Sequence, residues 1–173
     1  MKKWNDFLLC SVLLFAALLP VNAQRLSSEQ LRQVGRDIVS IKMADTNGKM
    51  QDLAKLVGKK KVVLIDFWAS WCGPCMREMP NVKAAYDKYH KKGFNVVGIS
   101  FDHDAKAWKE AIKSGKLTWT HISDLKGWEC EAGQVYGIRS IPSSILVGKD
   151  GKIIANDLRG EDLEMALKKI FGF

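Results

Sequence analysis

The chain has 173 residues, with 27 Lys and Arg against 19 Asp and Glu and a net charge of +8. That length suits one domain with a full core. The lysines are scattered (Lys59-Lys60-Lys61, Lys88, Lys91-Lys92, Lys168-Lys169) with no basic stripe interleaved with aromatics, which argues against nucleic acid as a partner.

Lys2 and Lys3 open the chain, and residues 7–19 form an apolar run too short to span a bilayer comfortably. Val21-Asn22-Ala23 supplies the small residues that a signal peptidase reads. The pattern predicts a signal peptide over 1–23, cleaved before Gln24, with an uncleaved membrane anchor as the competing reading. Cys10 lacks the small residues that precede a lipidated cysteine. Loss of Lys2, Lys3 and Asp6 leaves 150 residues at +7. Export would take the chain to a periplasmic or similar compartment where disulfides form.

Residues 24–37 are polar and read as an N-terminal arm; the folded domain is placed at 38–173. An alternating run over 38–43 predicts an edge strand, and Thr46-Asn47-Gly48 a hairpin turn returning through 49–51. Asp52 caps a short helix ending at Gly58. Residues 61–68 are β-branched and apolar, which predicts a buried parallel strand. Met79, Val82, Tyr86 and Tyr89 then give helical spacing over 76–92. A second buried strand covers 94–101. Asp104 caps a helix to about Ser114, a short strand spans 118–122, and a helix spans 127–136. A strand at 143–147, a turn at Lys149-Asp150-Gly151, a strand at 152–155 and an amphipathic helix at 161–171 complete the chain. This alternation, with a terminal hairpin, predicts an α/β fold: a central mixed sheet with flanking helices.

Trp71-Cys72-Gly73-Pro74-Cys75 lies between the apolar strand and the helix. Two cysteines at that spacing, in that context, read as a thiol–disulfide exchange pair. A helix N-terminus favours an anion and so the Cys72 thiolate, the attacking form of cysteine. Cys75 lies one turn deeper, and the pair is expected to be exposed at the helix start. The competing reading is half of a zinc site. Zinc needs two further ligands at matched spacing, and Cys130, His90, His103 and His121 are scattered. Cys130 reads as a small packing residue, with a redox-sensitive third thiol or an intermolecular bond as the alternative.

The segment from Asp66 to Cys75 resembles the active-site segment of thioredoxin. Tyr136-Gly137-Ile138-Arg139-Ser140-Ile141-Pro142 resembles the thioredoxin loop that carries a cis-proline opposite the cysteines, and Pro80 matches the kink proline of its helix. The longer stretch between Phe101 and Tyr136 resembles the extra helix and strand of exported TlpA/ResA-like reductases. The resemblance implies a thioredoxin-like fold with an N-terminal hairpin extension and a helix–strand insert. It implies Cys72 as nucleophile, Cys75 as resolving thiol and Pro142 as the cis-proline. Trp71, Gly73, Pro74, Ile141 and Gly160 match the rim that receives the partner, and Trp68 packs beneath. Asp66 matches the buried thioredoxin aspartate, although residues 94–101 offer no lysine to accompany it. Glu78 matches the glutamate that TlpA/ResA-like proteins place near their site, or is a solvated helix residue. Burial of either carboxyl would suit proton exchange near neutrality.

The function implied is an exported reductase of protein disulfides, monomeric, without an organic cofactor or metal, and recharged by a membrane thiol electron donor. Clients of such proteins include exported thiol enzymes and apocytochrome c, in cytochrome c biogenesis. An exported disulfide oxidase or isomerase would run the same chemistry in another direction. A peroxiredoxin-like peroxidase is disfavoured because no threonine stands three residues before either cysteine of the pair. A client-binding adaptor without redox activity is disfavoured by the intact cysteines.

Overall fold

A computed structural model describes Arg32 and residues 34–172. The expected signal peptide and most of the arm lie outside the described residues. The strands are β1 (Lys42–Asp45), β2 (Met50–Asp52), β3 (Val62–Trp68), β4 (Phe94–Ser100), β5 (Thr120–Ser123), β6 (Ser143–Val147) and β7 (Ile153–Asn156). The α-helices are α1 (Leu53–Val57), α2 (Gly73–Tyr89), α3 (Ala105–Ser114), α4 (Glu131–Val135) and α5 (Gly160–Phe171). Among the described residues the strands form one sheet in the order β2-β1-β5-β4-β3-β6-β7. The β3–β4 and β4–β5 pairs are parallel and the other pairs antiparallel, so the sheet is mixed.

β3 is buried at all seven positions, because it lies between β4 and β6 with side chains packed on both faces. A strand in that place must be apolar throughout, and Asp66 is its one exception. Asp66 stands opposite Gly98 of β4 and Ser144 of β6. α2 lies against α5 and β4, burying the stripe Cys75, Met79, Val82, Ala85 and Tyr89. Pro74 sits in its first turn, where a missing N–H costs nothing, and Pro80 lies inside it.

Two expected elements differ. The run 38–43 is not one strand: β1 begins at Lys42. Upstream, Gly35 N–H donates to Ile153 O, Ile153 N–H donates to Arg36 O, and Asp37 bridges Lys152 on the far edge of the sheet. The segment therefore crosses from the β7 edge of the sheet, held by residues 35–37, to the β1 side, which it joins only from Ile41 onward. The helix expected over 127–136 is split into a 3-10 turn at Gly127–Glu129 and α4. Cys130 between them is extended, at φ −49° and ψ 124°. The Asp124 carboxylate accepts from Lys126 N–H, just before the 3-10 turn, and from Glu131 N–H, the first residue of α4.

Candidate active site

The site forms where β3 hands the chain to α2. Residues 69–72 make this turn, and the segment after β4 clamps it. Phe101 N–H donates to Trp68 O at 2.8 Å. The buried Asp102 carboxylate accepts from Ser70 N–H at 3.0 Å, Ser70 Oγ at 2.5 Å and Ser100 Oγ at 2.7 Å. Cys72 N–H closes the turn on Ala69 O at 3.1 Å. A carboxylate so fully hydrogen-bonded is a rigid anchor, and it fixes the residue two before Cys72.

Cys72 and Cys75 are joined in a disulfide. Cys75 N–H donates to Cys72 Sγ at 3.2 Å, so the sulfur itself caps α2. In the reduced protein the same donor and the helix dipole would favour a thiolate on Cys72. The Ile141–Pro142 bond is cis, and Ile141 O lies 3.7 Å from Cys72 Sγ. The expectation of exposure at the helix start needs correction for Cys72, which is 5% exposed; Cys75, the deeper thiol, is buried at 2% as its depth implies. The helix start does point outward, but the cis-proline loop closes over it.

Asp66 is 5% exposed. Burial pushes its carboxyl up to about 7; the negative charge of Glu78 adds to this and Arg159 opposes it. No lysine occurs on β4, and the charged groups that act on Asp66 come instead from α2 (Glu78) and from the turn before α5 (Arg159). Glu78 is half-buried and tied down rather than solvated. It accepts from Gly160 N–H at 2.7 Å and from Asn81 Nδ2 at 2.9 Å, linking α2 to the start of α5. Arg159, which the sequence reading passed over, donates from Nη2 to Pro142 O. Its only signal in sequence is that it precedes Gly160.

Around the cysteines, Trp71 is 53% exposed and donates from Nε1 to Phe101 O at 3.2 Å. Gly73 and Pro74 are exposed, and Ile141 and Gly160 half-buried. Trp68 is fully buried, as expected of a packing residue, with its ring edge-on to His121. Cys130 is fully buried, and burial pushes its thiol up to about 11. A thiol held neutral in this way packs rather than reacts. Sequence reading also missed Asp102 and Trp128. Asp102 follows a buried strand and a polar Ser100, a weak sign of a local cap. Trp128 offers no sign beyond a bulky ring within a polar turn.

A family model described as Redoxin matches residues 33–170. Thiol-disulfide oxidoreductase ResA of Bacillus cereus (strain ATCC 10987 / NRS 248) is 34% identical over 148 residues, covering 83% of this chain and 82% of the relative. A thiol-disulfide oxidoreductase from Bacteroides fragilis NCTC 9343 superposes with a TM-score of 0.72 at 32% identity, over 78% of this chain and 99% of that one. A thiol:disulfide interchange protein from Bacteroides sp. gives 0.72 at 32% identity, over 82% and 91%. The sheet, the flanking helices and the bonded Cys72–Cys75 pair agree with these relatives. The chain belongs to the Redoxin family and is a TlpA/ResA-like thiol–disulfide oxidoreductase, working on protein disulfides by dithiol–disulfide exchange at Cys72 and Cys75.

Proposed function

We propose that the chain works in the reducing direction, as a monomer exported by the signal peptide over 1–23, and that a membrane dithiol donor recharges it. The observations that support the mechanism are Cys72 Sγ at the cap of α2, Cys75 bonded to it one turn inside, and a buried Asp66 carboxyl, pushed up to about 7, on the strand β3 that leads into α2.

The reduced pair begins with Cys72 as thiolate. It attacks one sulfur of the client disulfide; the client S–S bond breaks, a mixed disulfide forms, and the first client sulfur leaves as a thiolate that takes a proton. Cys75 then gives its proton to the Asp66 carboxylate and attacks Cys72 Sγ. The Cys72–Cys75 bond forms, and the second client sulfur leaves and is protonated. Two electrons pass from the pair to the client. A carboxyl with a value near 7 is about half ionised at neutral pH, so it both accepts the proton and returns it when the donor reduces the pair.

Glu78 and Arg159 act on Asp66 in opposite directions, the first raising its value and the second lowering it. The cis-proline loop presents Ile141 to the client backbone, while Trp71, Gly73, Pro74 and Gly160 frame the approach. The test of direction is the reduction potential of the domain, equilibrated against glutathione or dithiothreitol. A value near the thioredoxin range of about −270 mV is expected; one above about −180 mV would make the protein an oxidase or isomerase. Mass spectrometry of the exported protein checks the processing: retained residues 1–23 would indicate an anchored form.

A further inference from the structure

Two tryptophans are exposed among the described residues, and they are neighbours: Trp71 at 53% and Trp128 at 45%, with ring centroids 6.3 Å apart. Other exposed large hydrophobics, such as Met50 and Met165, are aliphatic. Trp71 directly precedes Cys72. Trp128 comes from the insert between β5 and α4, the part of the chain that exceeds the thioredoxin pattern. We propose that Trp71 and Trp128 form a reading surface for the client, seating an aromatic side chain that flanks the client's cysteine in an extended segment. The proposal rests on the reductase reading above and names the client chemistry that it favours.

Both rings are held before any client arrives. Trp71 is fixed by its Nε1 bond to Phe101 O. Trp128 stands edge-to-face on the buried Phe101 ring, at 5.2 Å between centroids. Its carbonyl accepts from Gln134 Nε2 at 2.7 Å. The turn that carries it is pressed against its neighbour: Gly127 has φ +57°, and a Cβ there would lie 2.1 Å from His103 Nε2. Rings ordered in advance lose little freedom on binding, which is why rigid aromatic side chains anchor recognition surfaces.

The place of the pair selects its occupant. A client sulfur must reach Cys72 Sγ, and the Ile141 carbonyl stands 3.7 Å from that atom. Trp71 directly precedes Cys72 and is exposed, so a residue flanking the client cysteine comes within its reach. Lys126 and Glu129, beside Trp128, are both exposed and opposite in sign, so charge does not choose the client there. Two indole faces favour another π-system, by offset or edge-to-face contact.

The experiment uses the reduced protein and two otherwise identical disulfide-linked peptides, with Phe or Ser next to the cysteine. Wild type should reduce the Phe peptide with a kcat/KM about tenfold higher, equivalent to about 1.4 kcal/mol. Trp128→Ser should remove most of that preference, and Trp128→Phe should restore most of it. A second measurement does not depend on the folding of those variants. In Cys75→Ser, which holds the mixed disulfide on Cys72, tryptophan emission should change more with the Phe peptide than with the Ser peptide. Equal rates for the two peptides in wild type, a preference that survives Trp128→Ser, or equal emission changes would each overturn the proposal and leave the reductase reading standing. Reduction of neither peptide would overturn both.

Discussion

Asp66→Asn isolates the most unusual group in the molecule, a carboxyl inside a strand that is otherwise apolar. An ordinary aspartate titrates near 3.8, and burial, with the help of Glu78, pushes Asp66 up to about 7. Between those values the unfolded chain releases the proton and the native protein retains it. The native state then binds more protons, so its stability falls as pH rises. Asp66 imposes no such penalty below about pH 3.8, and the full penalty is present above about pH 7. Three pH units at about 1.4 kcal/mol each make this about 4 kcal/mol.

Asn cannot ionise. Its stability relative to wild type should therefore rise by about 4 kcal/mol between pH 4 and pH 8, whatever constant cost the amide carries for its own hydrogen bonds. His121 acts in the opposite direction. Burial lowers its imidazole to about 3, so its contribution is present above about pH 6.5 and lost as pH falls through 3. Both proteins share His121, and subtracting one pH profile from the other removes it. The assay is urea unfolding of the oxidised proteins at steps from pH 4 to pH 8. A difference between variant and wild type that stays constant over this range would refute the burial argument. It would also remove Asp66 as the proton acceptor for Cys75. If the argument holds, Asp66→Asn also loses the inflection near pH 7 in the rate of disulfide reduction.

Glu78→Gln keeps an oxygen for Gly160 N–H but removes the negative charge that raises Asp66, so the rate inflection should move to lower pH; Arg159→Gln should move it higher. pH–rate profiles of the two variants check this, and shifts in the same direction would contradict it. Alkylation of the reduced native protein near pH 7, mapped by mass spectrometry, should label Cys72 first and leave Cys130 unlabelled, because burial holds the Cys130 thiol neutral up to about 11. Early labelling of Cys130 would count against that placement. Gly98→Ala should destabilise the protein by about 1–3 kcal/mol in urea melts. The new Cβ would lie 2.4 Å from His121 Nδ1 and 3.0 Å from Trp68 Nε1. A cost near zero would mean that the two rings can move apart.

Much of the architecture follows from local pattern. The continuous apolar run placed β3 in the interior of the sheet, since only a strand covered on both faces is written that way. Helical spacing of Met79, Val82 and Tyr89 located the face of α2 that packs inward. The errors fell where partners are remote. The alternation over 38–43 is real, yet only its end joins a strand: residues 35–37, just upstream, bond β7, Val39 N–H donates to Tyr136 Oη, and β1 begins at Lys42. The expected 127–136 helix is interrupted at Cys130, whose ψ of 124° is not helical, and the N–H of Glu131, where α4 begins, finds its partner in the remote Asp124 carboxylate.

The amino-acid sequence by itself determined the chemistry, because a redox pair needs two cysteines one helical turn apart at the end of a buried strand, and all of that is local. The buried carboxyl was legible for the same reason: Asp66 interrupts an apolar run. What surrounds the pair was decided only by the tertiary structure. Glu78 meets Gly160 across 82 residues, Arg159 reaches the carbonyl of Pro142 from a separate turn, and Trp128 arrives beside Trp71 from the insert. Periodicity reports which face of an element is buried and not which distant side chain it faces. The groups that set the Asp66 titration and frame the client's approach therefore become visible only once the sheet order brings these loops to one end.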